Sequence, residues 1–468
     1  MTSAAAAVDN LDVRPVQGRD GVLVVAFDSE LLGRRTESMA WLPPDDVPGP
    51  WPVTYYLHGT VGTTYGARVE RWAERRHQRN LPLHPMLAQS RRRAVTPDTM
   101  GLADSRLHHR FLVVAPDAGE RAWCGVCNWI DGRQSEDGTV RGVLAERHLY
   151  EELIPVVQEL FTTRIDRAGR AIIGHSMGGG GAMIQGFRHP DRFTFVGSSS
   201  GTLTVLDDWM SRSGVRWAYY NRTQGLRPIP LDRVAYENHN LLDLAPNVRG
   251  IDIELVAVIG DGELHEDTAE STYEGSLQWF VGDPDRRREQ TTMEQMQRRN
   301  NDLVVPRLLE AGVELDYITR EGIHEIGPST FRRHFLPRLH DRFEGPPPTE
   351  PDGFTHRSAD AAFTAFGYRV QVQRREPGFV TLCNAARDGS RVMLTGDGVV
   401  ELVLPVARGA RQVEVCQPGR DARVKTLRDT GDGMAVGIHL DARRHTIGGP
   451  GRLQRPGELD IATIRVVP

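Results

Sequence analysis

The run Ala171-Ile172-Ile173-Gly174-His175-Ser176-Met177-Gly178-Gly179-Gly180 constrains the fold of this chain more than any other segment. A short apolar stretch enters G-x-S-x-G, and a segment with helical patterning leaves it. In a nucleophile elbow the serine occupies a strained strand-to-helix turn, and small residues two before and two after it let the two elements approach closely. The hydroxyl then projects at the carboxyl end of the sheet. The competing reading is a glycine-rich turn that happens to contain a serine, so the surrounding pattern has to decide.

That pattern is an alternation of strands and helices. Residues 21–27 and 37–42 read as an opening strand pair with Leu32-Gly33-Arg34 as the turn region. Residues 53–57 and 111–115 are short apolar runs stopped by His58-Gly59-Thr60 and by Pro116-Asp117, as expected for buried parallel strands. Helices are predicted over about 147–161, 177–188, 291–311 and 329–342, and strands over 170–173, 193–197, 253–259 and 313–318. Strand and helix in turn predict a mostly parallel sheet with helices on both faces, an α/β domain over 1–345.

The composition changes at Glu344-Gly345-Pro346-Pro347-Pro348-Thr349-Glu350-Pro351-Asp352-Gly353, and residues 346–352 read as a stiff Pro-rich linker. Beyond it, short strand-like runs at 368–372, 379–382, 391–394, 399–404, 412–415 and 434–440 are separated by Asp-Gly, Gly-Asp and Pro-Gly turns. They predict a small β-sandwich over 353–468 as an accessory domain.

The charge balance narrows the function classes. With 57 Lys+Arg against 62 Asp+Glu the formal charge is −5, too close to neutral for a protein that coats nucleic acid. The 39% hydrophobic and 25% charged residues permit a packed core. Four cysteines exclude a disulfide scaffold. No apolar run approaches the roughly 18 residues a spanning helix needs. The first residues, with Ala4 to Ala7 but no basic n-region, do not read as a secretory signal. A cytoplasmic protein is expected, or a secreted one if this is a mature form; the oligomeric state stays open.

A nucleophilic serine needs a base, an acid and an oxyanion hole. The backbone N–H of Met177 supplies one donor of the hole, and the N–H of Thr60 in the loop after 53–57 supplies the second. In chain order the histidine comes last, in the loop after the final strand, which selects His324 in Arg320-Glu321-Gly322-Ile323-His324. His175, inside the elbow, is expected to point away from the base and to serve packing. The acid is expected after strand 253–259, where Gly260-Asp261-Gly262-Glu263 offers a G-x-x-E spacing that selects Glu263, with Asp261 second and Glu274 third.

Taken together, Leu57-His58-Gly59, Val113-Val114-Ala115-Pro116-Asp117, Glu151-Glu152-Leu153-Ile154-Pro155, Gly174-His175-Ser176-Met177-Gly178-Gly179, His189-Pro190-Asp191-Arg192-Phe193, Ser200-Gly201 and Gly322-Ile323-His324 resemble the putative-esterase (esterase D-like) family of α/β-hydrolases. That family includes feruloyl esterase modules and the antigen 85 type mycolyltransferases, and the resemblance spans about residues 20–345. It implies an α/β-hydrolase fold, a triad of Ser176, an acid and His324, and an oxyanion hole from Thr60 and Met177. It implies a serine carboxylic-ester hydrolase without cofactor or metal, acting on a small-molecule or polymer-linked ester through an acyl-enzyme. An alcohol acceptor in place of water would make it an acyltransferase, and an inert first domain would leave a binding protein on a hydrolase scaffold.

Two stretches depart from the family pattern. Residues 62–110 form an insertion rich in arginine, either a lid that meets an anionic substrate or a solvated helix face. Trp123-Cys124-Gly125-Val126-Cys127-Asn128-Trp129 carries a C-x-x-C with no second pair nearby, so a loop tie or two free thiols is expected rather than zinc. Trp123 and Trp129 are expected to wall an acyl or aryl pocket, with His58 beside them.

Overall fold

A computed structural model of the chain describes residues 8–16, 20–59, 110–118, 127–133, 142–206, 220, 224–263, 284–324, 330–406, 410–431, 433–440 and 460–467. Insertion 62–110 falls outside them except for Arg110, as do Thr60, Trp123, Cys124 and Glu274.

Nine strands form one mixed sheet: β1 (Asp9–Pro15), β2 (Val22–Ser29), β3 (Arg34–Trp41), β4 (Val53–Leu57), β5 (Leu112–Ala115), β6 (Arg170–His175), β7 (Phe195–Ser199), β8 (Glu254–Gly260) and β9 (Asp316–Arg320). Their spatial order is β1-β2-β3-β5-β4-β6-β7-β8-β9. Pairs from β1 to β5 by way of β3 are antiparallel, and every pair from β5 through β9 is parallel. Every residue of β4 to β7 is buried, the pattern of parallel strands covered on both faces. The β1 strand was not predicted, because its residues DNLDVRP are mostly exposed at the sheet edge and carry no apolar run.

Successive side chains on a strand point to opposite faces. Tyr56, Val113, Ile173, Phe195 and Val258 accordingly face one layer, where Phe331, Phe335, Leu339 and Phe343 recur every fourth residue on a wide turn (Phe331–Phe335) and the helix after it. Tyr55, Val114, Ile172 and Val196 face the other, against the helices α1 (Ile154–Leu160) and α2 (Met177–Arg188). The helix predicted over 147–161 is a short turn Ala145–Arg147, a wide-turn segment His148–Leu153 and then α1. Helix α3 (Pro284–Glu310) begins before the predicted 291, and α4 (Leu336–Glu344) closes the α/β part.

From Gly353 onward every described strand is antiparallel to its neighbours. β10 (Gly353–Ser358), β13 (Val380–Ala386), β14 (Arg391–Gly396), β20 (Asp460–Val467), β16 (Gln412–Cys416) and β17 (Arg423–Thr426) make one sheet in that order. β11 (Ala362–Ala365), β12 (Tyr368–Gln373), β15 (Gly398–Leu404), β19 (Met434–Leu440) and β18 (Arg428–Asp429) make a second. The six predicted runs are strands. Five further strands lie outside those runs: β18 is only Arg428–Asp429, and in β10 the buried positions after Phe354 are filled by the polar His356 and Ser358.

Candidate active site

The carboxyl ends of β6, β7, β8 and β9 lie side by side, with His175 paired to Ser199, Ser199 to Val258 and Gly260 to Arg320. Beyond β6 the chain turns at Ser176 with φ 56° and ψ −120° and enters α2 directly. A left-handed non-glycine residue costs roughly 1–3 kcal/mol and persists only where its surroundings over-determine it. Here they do. A Cβ on Gly174 would stand 2.3 Å from the Gly178 backbone, and one on Gly178 would stand 2.0 Å from Leu57 O, so β6, α2 and β4 meet backbone to backbone. The Ser176 N–H also donates to Ser199 O at 2.8 Å.

The same glycines weaken the helix. Five of the twelve residues in MGGGGAMIQGFR are Gly, each roughly 1 kcal/mol less favourable than Ala in a helix interior. Tertiary contacts therefore hold α2 together.

His324 follows β9, and its Nε2 lies 2.9 Å from Ser176 Oγ. Its Nδ1 lies 2.7 Å from Glu294 Oε2. An ionised carboxylate only accepts hydrogen bonds, so Nδ1 carries the proton and the Nε2 lone pair faces the serine hydroxyl. Glu294 is fully buried and satisfied at both oxygens: Oε1 accepts the Ser200 hydroxyl at 2.7 Å and the Gly260 N–H. Burial pushes its carboxyl up, but the hydrogen bond and charge of His324, the Arg320 guanidinium and the Ser200 hydroxyl outweigh burial and hold it below the ordinary range. A hydroxyl, an imidazole and an ionised carboxylate in this order can pass a proton from serine to histidine and stabilise the imidazolium that results.

This corrects the expected acid. Glu263 is exposed, and the one hydrogen bond described for it is from its backbone N–H to Asp261 Oδ1 at 2.9 Å. Asp261 is a loop tie: its Oδ1 also accepts the Gly322 N–H at 3.0 Å, while Gly262 N–H donates to Gly322 O at 3.0 Å. Arg320 completes the tie through the carbonyls of Glu321 (2.9 Å) and Ile323 (3.0 Å). Gly322 has φ +117°, a conformation open to glycine, which accounts for the residue before the Ile323-His324 pair.

The carboxylate at His324 is supplied by α3, a helix rather than a strand-end loop. Glu294, Gln297, Asn301, Val304, Val305 and Leu308 form one face of α3, and on that face the inward residues change from polar to apolar. The polar half meets the loop after β7. Asn300 Oδ1 accepts the N–H groups of Leu203 (2.9 Å) and Thr204 (3.2 Å), Asn300 Nδ2 donates to Thr204 O (2.8 Å), and Asn301 Nδ2 donates to Gly201 O (2.8 Å).

His175 also departs from expectation. Its ring packs on His324 with centroids 5.1 Å apart, and burial together with the His324 charge holds it well below the ordinary histidine range, so it stays neutral. Of the expected pocket residues that the structure describes, Trp129 and His58 are not surface. Trp129 is wholly buried, its Nε1–H donating to His58 O at 3.1 Å and its ring edge-on to the buried His58 ring at 4.7 Å. Both residues support the strand end from below: a Cβ on Gly181 of α2 would meet the Trp129 ring at 2.6 Å, and Gly59 passes against His175 O and Ser176 Cβ. Cys127 is a buried free thiol pushed up to about 12 by burial, which makes it a poor nucleophile. The Met177 N–H opens α2, where the first N–H groups of a helix have no intrahelical acceptor.

Comparison with known proteins agrees with this region. A family model described as "Putative esterase" matches residues 91–301, a stretch that contains Ser176 and Glu294 and ends before His324. Among solved structures, a ferulic acid esterase is 21% identical with a TM-score of 0.43, covering 69% of this chain and 98% of its own. An S-formylglutathione hydrolase from Agrobacterium tumefaciens is 16% identical with a TM-score of 0.43, covering 71% and 99%. MPT51 from Mycobacterium tuberculosis is 16% identical with a TM-score of 0.42, covering 68% and 95%. A sequence comparison with curated proteins finds no match. The family match falls across the elbow and the helix that carries Glu294, in agreement with the resemblance in the sequence, and the chain is an enzyme of the α/β-hydrolase superfamily that is similar over residues 91–301 to the putative-esterase family.

Proposed function

We propose that the protein is a serine-dependent carboxylic-ester hydrolase in which Ser176 is the nucleophile, His324 the general base and Glu294 the acid. The observation that carries this reading is the unbroken relay from Ser176 Oγ through both ring nitrogens of His324 to the buried Glu294 carboxylate. Ser176 Oγ attacks the ester carbonyl carbon while its proton passes to His324 Nε2. The tetrahedral oxyanion forms against the N–H groups of Met177 and Thr60. As the carbon–oxygen bond to the alcohol breaks, Nε2 returns the proton to the departing alkoxide, leaving an acyl-enzyme. Water, deprotonated by the same nitrogen, then attacks the acyl carbon, and Nε2 returns the proton to Ser176 Oγ as the acyl–oxygen bond breaks and the acid leaves.

The substrate is a small-molecule or polymer-linked ester. The α/β-hydrolase domain occupies 1–345, residues 346–352 are the spacer, and 353–468 form a β-sandwich; the change from a mostly parallel sheet to two antiparallel ones supports this division. A fluorophosphonate probe should label the wild type and spare Ser176→Ala, and equal labelling of both would overturn the assignment. A panel of aryl and alkyl esters, each run with and without an alcohol acceptor, separates hydrolysis from acyl transfer.

A further inference from the structure

Three ties from the C-terminal strands converge on the last turn of the helix that starts at Ser176. Arg188, the final residue of α2, is buried, and its Nη2 lies 2.7 Å from Asp360 Oδ2 in the turn after β10. The same guanidinium donates to Glu146 at 2.9 Å and to Asn238 O at 3.0 Å, and Asn238 Nδ2 donates to Asp360 Oδ1 at 2.8 Å. The second tie is a carbonyl cap. Phe187 O, which belongs to the final turn of α2, accepts Asn247 Nδ2 at 3.0 Å. Asn247 is in turn clasped by the β10 backbone, accepting the Arg357 N–H at 2.8 Å and donating to Arg357 O at 3.1 Å. Third, Asp191, just past the helix, accepts the Phe366 N–H at 3.0 Å. Helix ends carry orphan carbonyls that need partners, and buried charges need opposite charges. The carbonyl is met by Asn247, which the β10 backbone clasps, and the Arg188 charge is shared between Glu146 of the α/β part and Asp360 from beyond the Pro-rich spacer.

On the reading that Ser176 is the nucleophile, we infer that the C-terminal unit is a positioning part of the enzyme rather than a detachable accessory: through Asp360 and the Asn247 clasp it caps α2 and so holds the strained Ser176 turn at the helix's other end. The physical reason is the glycine content of α2. A helix so poor in intrinsic stability depends on tertiary contacts to stay closed, so losing those at its C-terminal end favours local opening of the whole element, and Asp360 acts through Arg188 without touching substrate.

The test uses the full chain with Asp360→Asn, Asp360→Glu and, as the milder change, Asn247→Ala. Per folded molecule, Asp360→Asn should slow fluorophosphonate labelling and kcat roughly tenfold with KM little changed, since small misplacement of a reacting group is enough. Asp360→Glu should restore part of the rate. Hydrogen exchange should accelerate at the Gly180–Ile184 amides, remote from the substitution, in both Asp360→Asn and Asn247→Ala. A purely structural contact would lower the Tm and leave the per-molecule rate, and exchange at those amides, as in the wild type; that result overturns the inference. Should Asp360→Asn fail to fold, the exchange and rate of Asn247→Ala decide alone. Failure of the Ser176 reading looks different, because the wild type itself would then not label at Ser176, while the exchange measurement would still judge the cap.

Discussion

The elbow at Ser176 and the carboxylate at His324 are held in opposite ways. Ser176 is placed by contiguous residues: Gly174 and Gly178 close the turn, and the strand and helix on either side are its own neighbours in the chain. Glu294 is placed by a helix that enters from beyond residues 264–283 and is fastened by side chains reaching across to the loop after β7. In the first case local sterics do the positioning. In the second, long-range hydrogen bonds replace the covalent tether that a strand-end loop would provide.

The sharpest way to test that contrast is to remove the two groups in turn. Ser176→Ala should abolish acylation altogether while leaving the protein folded, checked by probe labelling alongside circular dichroism. Glu294→Gln should lower kcat by about 10³ to 10⁴ with little change in KM, if the Ser-His-Asp precedent transfers. In the same assay Glu263→Gln should behave as wild type, and Asp261→Asn should fall between them by loosening the Gly322 loop. A collapse of Glu263→Gln beside a near-normal Glu294→Gln would move the acid back to the strand-end loop.

A smaller effect probes the fastening itself. Asn300→Ala leaves the Leu203 and Thr204 backbone groups without their partner and should cost about 1–3 kcal/mol of stability. With Glu294 less firmly held, kcat should drop about tenfold. Unchanged kcat in a destabilised Asn300→Ala protein would show that apolar packing at Val304, Val305 and Leu308 suffices to place α3.

A last effect, on stability and not on the catalytic rate, is a pH dependence that sits outside the relay. Burial lowers His239 and His356 to about 4, below the ordinary value of 6.5 that applies in the unfolded chain. Protonation therefore favours the unfolded state. The stability these two neutral rings confer is complete above pH 6.5, declines as pH falls from about 6.5 toward 4, and is lost below that. The loss is on the order of 3 kcal/mol for each ring at most. Thermal melts across that range should show the decline, and His356→Phe, beside the Phe363 ring, should flatten it; an equally steep profile in that variant would remove His356 as a source.

Much of the fold was legible because its determinants are local. The buried runs of β4 to β8 announce parallel strands, and α2 was expected over the residues it occupies. His324 followed from chain order and from the glycine that its loop requires. The edge strand β1 and polar strands such as β10 and β18 were missed because polar sequences look alike whether or not they pair.

By itself, then, the amino-acid sequence determined the elbow, the histidine after the last strand of the sheet and the change of architecture at Gly353, all of which rest on backbone sterics and burial patterns within a few residues. Only the tertiary structure decided that Glu294 and not Glu263 meets His324, that Trp129 and His58 are buried supports, and that Asp360 reaches Arg188. Among several carboxylates of similar chemistry, selection is made by which one a distant helix presses against the imidazole. That is a property of packing between segments far apart in the chain, and no spacing rule encodes it.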